Sequence, residues 1–167
     1  MRGKTLRGWV NVLVGDESLE VRSHAAAALF NRAMMLGDLG QWAQAVEAYG
    51  ELVDRFGSDE SVEVRGQVAK GLLNKCLRLK VLGRSEDEGE VYSAMVDRFG
   101  DDESPEIRKL VAQGLSNKGA WLRVWGLAND EVEAYEELVD RFGADEHPEI
   151  RRLVQGARDN IEYLGLV

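Results

Sequence analysis

One nine-residue phrase occurs three times in this chain, at Tyr49–Gly57 (YGELVDRFG), Tyr92–Gly100 (YSAMVDRFG) and Tyr135–Gly143 (YEELVDRFG). Tyr49, Tyr92 and Tyr135 are 43 residues apart, and so are Phe56, Phe99 and Phe142. The same step carries Arg22, Arg65, Arg108 and Arg151, then Asn31, Asn74, Asn117 and Asn160, then Gly40, Gly83 and Gly126. A fixed period in this range marks stacked supersecondary units, because one such unit cannot bury its apolar face alone. The chain must therefore be built by packing like pieces in sequence.

Within a unit the apolar spacing is helical. Trp42, Val46, Tyr49, Val53 and Phe56 recur at three- and four-residue steps and form one stripe. An alanine-rich run precedes them, and Gly37 and Gly40 bracket its end. The pattern predicts a long and a shorter helix in each unit: about 19–37 with 41–56, Ser61 to about Leu82 with a partner ending at Phe99, and 105–125 with 129–142. A last helix follows at about 148–164. Ser104-Pro105-Glu106 predicts a helix start with a hydroxyl cap, proline in the first turn and a carboxylate at the positive end of the dipole. Residues 2–14 read as a truncated first unit, since Leu6, Trp9, Val10 and Leu13 align one period upstream of Tyr49, Leu52, Val53 and Phe56. The expectation is one all-α domain of about eight helices. Its parts are a partial unit at 1–14, units at about 15–57, 58–100 and 101–143, and a terminal helix at about 144–167.

Composition narrows the function. The chain has 167 residues and a formal charge of −9, a field that repels phosphate backbones and argues against a general nucleic-acid binder. One cysteine, Cys76, cannot form an internal disulfide, and two histidines, His24 and His147, cannot build a His-rich metal site. The acidic turns Asp59-Glu60, Asp101-Asp102-Glu103 and Asp145-Glu146 lack the alternating oxygen spacing of a calcium loop, and capping explains them. No apolar run approaches the ~20 residues of a membrane helix. The N-terminal apolar run is broken by Asn11 and lacks a small-residue cleavage site, so a cytoplasmic protein is expected. No nucleophile–base pair or phosphate loop emerges, so neither catalysis nor a cofactor or metal is expected.

Leu29–Phe56, Leu72–Phe99 and Leu115–Phe142 resemble tetratricopeptide repeats, most closely in the third copy with Asn117-Lys118-Gly119, Trp125-Gly126 and Tyr135. The unit is nine residues longer than the family's 34. The resemblance implies a right-handed α-solenoid of antiparallel helix hairpins, with the long first helices lining a concave face. It also implies close helix approach at Gly119, with Ala33 and Cys76 in the matching places, and a small residue early in each second helix. Ala45 fits that last place, whereas Glu88 and Glu131 stand there in the other units. A buried carboxylate is costly, so the second helices are expected to splay and release those two side chains.

Two groups of residues are candidates for binding. Asparagine is a mediocre mid-helix residue, so Asn31, Asn74, Asn117 and Asn160 in register need a reason. Either they form an amide ladder for an extended peptide, or each ties its helix to a neighbour. The resemblance also places Lys70, Leu73, Leu77 and Lys80, then Gln113, Ser116, Ala120 and Arg123, at variable ligand-facing positions. Lys70, Lys75, Arg78, Lys80, Lys118 and Arg123 then form either a cationic strip for an acidic peptide or an ordinary solvated face. Arg22, Arg65, Arg108 and Arg151 are expected to pair with turn acids such as Asp59 or Asp102. Trp125 aligns with Leu39 and Leu82 and is expected in the core; Trp121 aligns with Met35 and Arg78, a variable place, and is expected in the core or in packing between units, with an exposed contact as the alternative.

The expected function is a non-catalytic protein–protein interaction module, a scaffold holding a peptide or partner helix on its concave face. The alternative is a self-assembly element that stacks through open ends of the array.

Overall fold

The computed structural model describes residues 18–165. They form seven α-helices: α1 (Leu19–Asp38), α2 (Trp42–Phe56), α3 (Val62–Val81), α4 (Ser85–Phe99), α5 (Pro105–Val124), α6 (Ala128–Phe142) and α7 (Pro148–Gly165). Among the described residues there is no strand. The truncated unit expected at 2–14 lies outside the described residues, as do Leu166 and Val167.

The helix bounds follow from local chemistry. Gly40, Gly83 and Gly126 sit at φ of 74°, 69° and 69°, a region that side chains with a Cβ avoid. The next residue in each case donates back into the helix, as Gln41 N–H does to Leu36 C=O, which closes a Schellman-type end. At the starts, the Ser18 hydroxyl accepts from Val21 N–H at 3.3 Å. The hydroxyl cap expected at Ser104 is not made, and Ser61 makes none either. Instead, an aspartate two residues upstream accepts from the N–H of the cap residue itself and orders the turn.

That aspartate recurs as a two-sided clasp. One oxygen of Asp59, Asp102 and Asp145 accepts from the backbone N–H of Ser61, Ser104 and His147 at 2.8–2.9 Å. The other oxygen binds an arginine of the preceding long helix: Arg22–Asp59 at 2.7 Å, Arg65–Asp102 at 2.9 Å and Arg108–Asp145 at 2.7 Å. The pairing expected from the register is thus formed by three of the four arginines, and the fourth, Arg151, is exposed. Burial would raise the Asp59 and Asp145 carboxyls, but these N–H donors and guanidinium groups outweigh it and hold both below the usual carboxylate range.

Packing is sequential. Each odd-numbered helix touches the next odd one, and each even-numbered helix touches only the two odd helices that flank it. The odd helices run parallel, since Arg108–Asp145 near the start of α5 and α7 and Arg123–Asn160 near their ends share one separation of 37 residues. The repeated phrase builds the core: Tyr49, Tyr92, Tyr135, Phe56, Phe99 and Phe142 are all buried, while Asp54 and Arg55 are exposed. Glycine allows the closest approaches. A Cβ on Gly119 would meet the Tyr135 ring at 2.5 Å, and one on Gly71 would meet Leu52 at 2.7 Å. Ala33 and Cys76 are buried in the places that match Gly119.

One expectation is corrected. Glu88 and Glu131 are not released to solvent, and are 3% and 2% exposed. Glu131 is held by the Arg123 guanidinium at 2.6 Å, and Glu88 accepts from the Tyr92 hydroxyl at 3.1 Å. A local partner removes the need to splay the helix.

Candidate interaction surface

The four asparagines recur at one place along the odd helices, Asn31 exposed and Asn74, Asn117 and Asn160 half-buried, and the structure ties most of them down. Asn74 and Asn160 donate to the carbonyls of Lys70 and Gly156 one turn earlier, at 2.9 and 2.8 Å. Asn117 accepts from Gln113 at 3.0 Å, and Asn160 accepts from Arg123 of the neighbouring helix at 2.6 Å. Asn31 is exposed. Only the Arg123–Asn160 bond links two helices, so tying neighbours together does not account for the series.

Most of the basic side chains are already engaged. Lys70 reaches Glu106 of α5 at 3.4 Å, and Lys109 bridges Glu106 and Glu149. Arg123 is taken by Glu131 and Asn160. Arg78 lies over Gly37 and 3.9 Å from Asp38. Lys80 stays exposed, one period before Arg123. The pairing acids sit mostly on the odd helices themselves, Asp38 on α1, Glu106 on α5 and Glu149 on α7, and only Glu131 comes from an even helix. The structure therefore leaves little of the basic series open as a continuous strip.

A different feature stands out beside the asparagines. Thirteen large apolar side chains are exposed among the described residues, and nine of them fall at the C-terminal ends of odd helices or in the turns that follow. Met34, Leu77 and Tyr163 share the 43-residue step, with exposed Ala120 between the last two, and stand one turn beyond Asn31, Asn74, Asn117 and Asn160. Val81 and Val124 continue the stripe at 51% and 77% exposure. Exposed apolar side chains are unremarkable singly, whereas a row across neighbouring helices marks a contact surface. Two of its members, Leu77 and Ala120, were legible as variable positions. The row as a whole was hidden because apolar residues in a helix read first as core.

The tryptophans divide. Trp125 is 56% exposed at the C-cap of α5, against the core position expected from its alignment. Of its counterparts, Leu39 is 71% exposed and Leu82 is half-buried against the core, so this helix end meets the core in the middle unit alone. Trp121 packs as expected, partly buried with its ring against Gly89 of α4. Burial pushes the Cys76 thiol up to about 12, with Glu88 adding to the shift, which removes it as a nucleophile at neutral pH. Among the described residues no group of three or more His, Cys, Asp or Glu side chains is placed to hold a metal ion, and no helix is long and apolar enough to cross a membrane.

No protein-family model matches the sequence, and comparison with the curated proteins gives no match.

Proposed function

We propose that the chain is a tetratricopeptide-like helical stack, a non-catalytic interaction module that takes a peptide or partner helix across the exposed ridge of its odd helices. The carrying observation is the apolar row of Met34, Leu77, Val81, Val124 and Tyr163 beside the asparagine series. Backbone groups of a ligand find amides along one line, and its side chains find apolar contact along the next. The contact pattern supports a curved array: odd helices touch one another and even helices do not, so the odd side is the shorter, inner one. Affinity on this reading comes mainly from apolar burial, with Lys80 as a peripheral charge. A fully buried Leu or Val side chain contributes about 1.5–3 kcal/mol. Leu77→Ser with Val124→Ser should therefore weaken partner capture by at least about tenfold while leaving the fold intact. Undiminished capture would refute the placement on this ridge.

A further inference from the structure

One cleft recurs at the starts of α3 and α7, and at α7 it gathers arginines without the aspartate that meets them elsewhere. Arg22, Arg65 and Arg108 each bind an aspartate from the turn of the next unit, at 2.7–2.9 Å. Around Arg65 the near wall is Gly57 to Glu60, and the far wall is the end of α4 with its turn, Asp97 to Asp102. Around Arg151 the near wall is the same, now Gly143 to Glu146, and among the described residues no later turn stands opposite. The cleft is wider for it, about 680 Å³ against about 460 Å³. A second arginine is nevertheless supplied. Arg98 and Arg141 of the following hairpins lie over Gly57 and Gly100, and at Gly143 that place goes to Arg158 of α7 itself. Arg151, Gln155 and Arg158 stand at i, i+4 and i+7, on one face of α7, with the two arginine Cα atoms about 10.5 Å apart along the axis. Arg152 lines the same cleft. Among the described residues Arg151, Arg152 and Arg158 make no side-chain hydrogen bond or ion pair. Of the lining acids Asp145 is taken by Arg108, which leaves Glu146 against three guanidinium groups in a chain whose net charge is −9.

We infer that this cleft binds a carboxylate of an acidic segment from a partner protein, as its sister arginines bind the turn aspartates of the chain itself. Arg151 takes the carboxylate in a charge-assisted pair, and Arg158 stands alongside as the second cation. The occupant is an acidic segment rather than a further apolar helix, because Gln155 and Arg158 stand where α5 buries Ala112 and Leu115. The inference uses neither the asparagines nor the apolar row and is independent of the ridge.

The chain supplies its own probe. A fluorescently labelled peptide of residues 99–107 carries Asp101 and Asp102, the acids that Arg141 and Arg65 bind within the stack. It is titrated into the full chain by anisotropy beside a control peptide with Asp101→Asn and Asp102→Asn. The acidic peptide is expected to bind. The control peptide on the unaltered chain, and the acidic peptide on Arg151→Ala/Arg158→Gln, are each expected to bind at least about tenfold more weakly. Leu77→Ser/Val124→Ser is expected to bind the acidic peptide as the unaltered chain does. Absence of binding, equal binding of the two peptides, or undiminished binding by the arginine variant would overturn the inference. So would a loss confined to the ridge variant, which would move the peptide to the ridge, or displacement by inorganic phosphate at the peptide's own concentration, which would mark a general anion site. The peptide comparison uses the unaltered chain, so it decides the matter even where the arginine variant fails to fold.

Discussion

The two ends of the described stack are made from the same helix and finished in opposite ways. α7 repeats α5 on the side that faces back: Ile150, Val154 and Ala157 are buried, as are Ile107, Val111 and Gly114. On the other side α5 buries Ala112, Leu115 and Gly119, and α7 exposes Gln155, Arg158 and Glu162 at the same places. Gly57 and Gly100 each lie under an arginine of the following hairpin, Arg98 and Arg141. Gly143 is instead met by Arg158 of α7 itself, 3.4 Å from where its Cβ would stand. α1 shows the reverse, with Val21, Ala25, Ala28 and Leu29 left open or half-open. Helical stacks need a polar outer face at each end. One end carries it in its own side chains, whereas the other presents a surface that calls for cover. The polar face of α7 weighs against stacking of copies through that end.

The largest effect should come from exchanging these faces. Leu115→Arg places the cap residue in the interior, where an unpaired charge costs more than about 4 kcal/mol. Circular dichroism is expected to show loss of the cooperative melt. The reciprocal Arg158→Leu should leave the melt nearly unchanged and make light scattering rise with concentration, because an apolar patch then faces solvent. A monomeric Arg158→Leu protein would break the cap reading.

A smaller effect should separate members of one arginine series. Arg65→Ala strands the largely buried Asp102 carboxylate and should cost about 1–3 kcal/mol in denaturant unfolding. Arg151 is exposed, and Arg151→Ala should stay within about 0.5 kcal/mol. Equal losses would mean that the clasps do not hold the units together.

The subtlest difference lies between the two buried carboxyls. Burial raises Glu88 above the usual carboxylate range, against the opposing pull of the Tyr92 hydrogen bond and the Lys80 charge. Its protonated form therefore favours the fold. That contribution is complete below the unfolded value of 4.5 and is lost as pH rises through the higher folded value. Glu88→Gln cannot deprotonate, so its stability advantage over the unaltered chain should grow from about pH 4 to pH 7. A difference that stays constant across that range would remove the carboxyl from the pH response.

Much of the fold was legible because the register repeats. Helix bounds, the Gly40, Gly83 and Gly126 ends, and the Arg–Asp pairing all follow from positions that recur at one step. What escaped depends on neighbours that spacing cannot show. Arg123 reaches Glu131 across a turn, and Tyr92 serves Glu88 one turn along its own helix, so neither acid needed release. Ser104 makes no hydroxyl cap, and Asp102 orders the turn there by accepting its N–H while also holding Arg65. Of the binding candidates, Lys70 and Arg123 are drawn into ion pairs by acids on other helices. The apolar row at Leu77 and Val124 emerges only once exposure is known.

The repeated frame is structural, and the proposed partner site is the apolar row beside the asparagines. The most direct measurement compares Leu77→Ser/Val124→Ser with the unaltered chain, scoring quantitative partner capture and thermal unfolding on the same preparations. The expected result is capture reduced at least about tenfold with a melting temperature changed by no more than about 3 °C. Full capture by the double variant, or loss of capture only together with the fold, would contradict it.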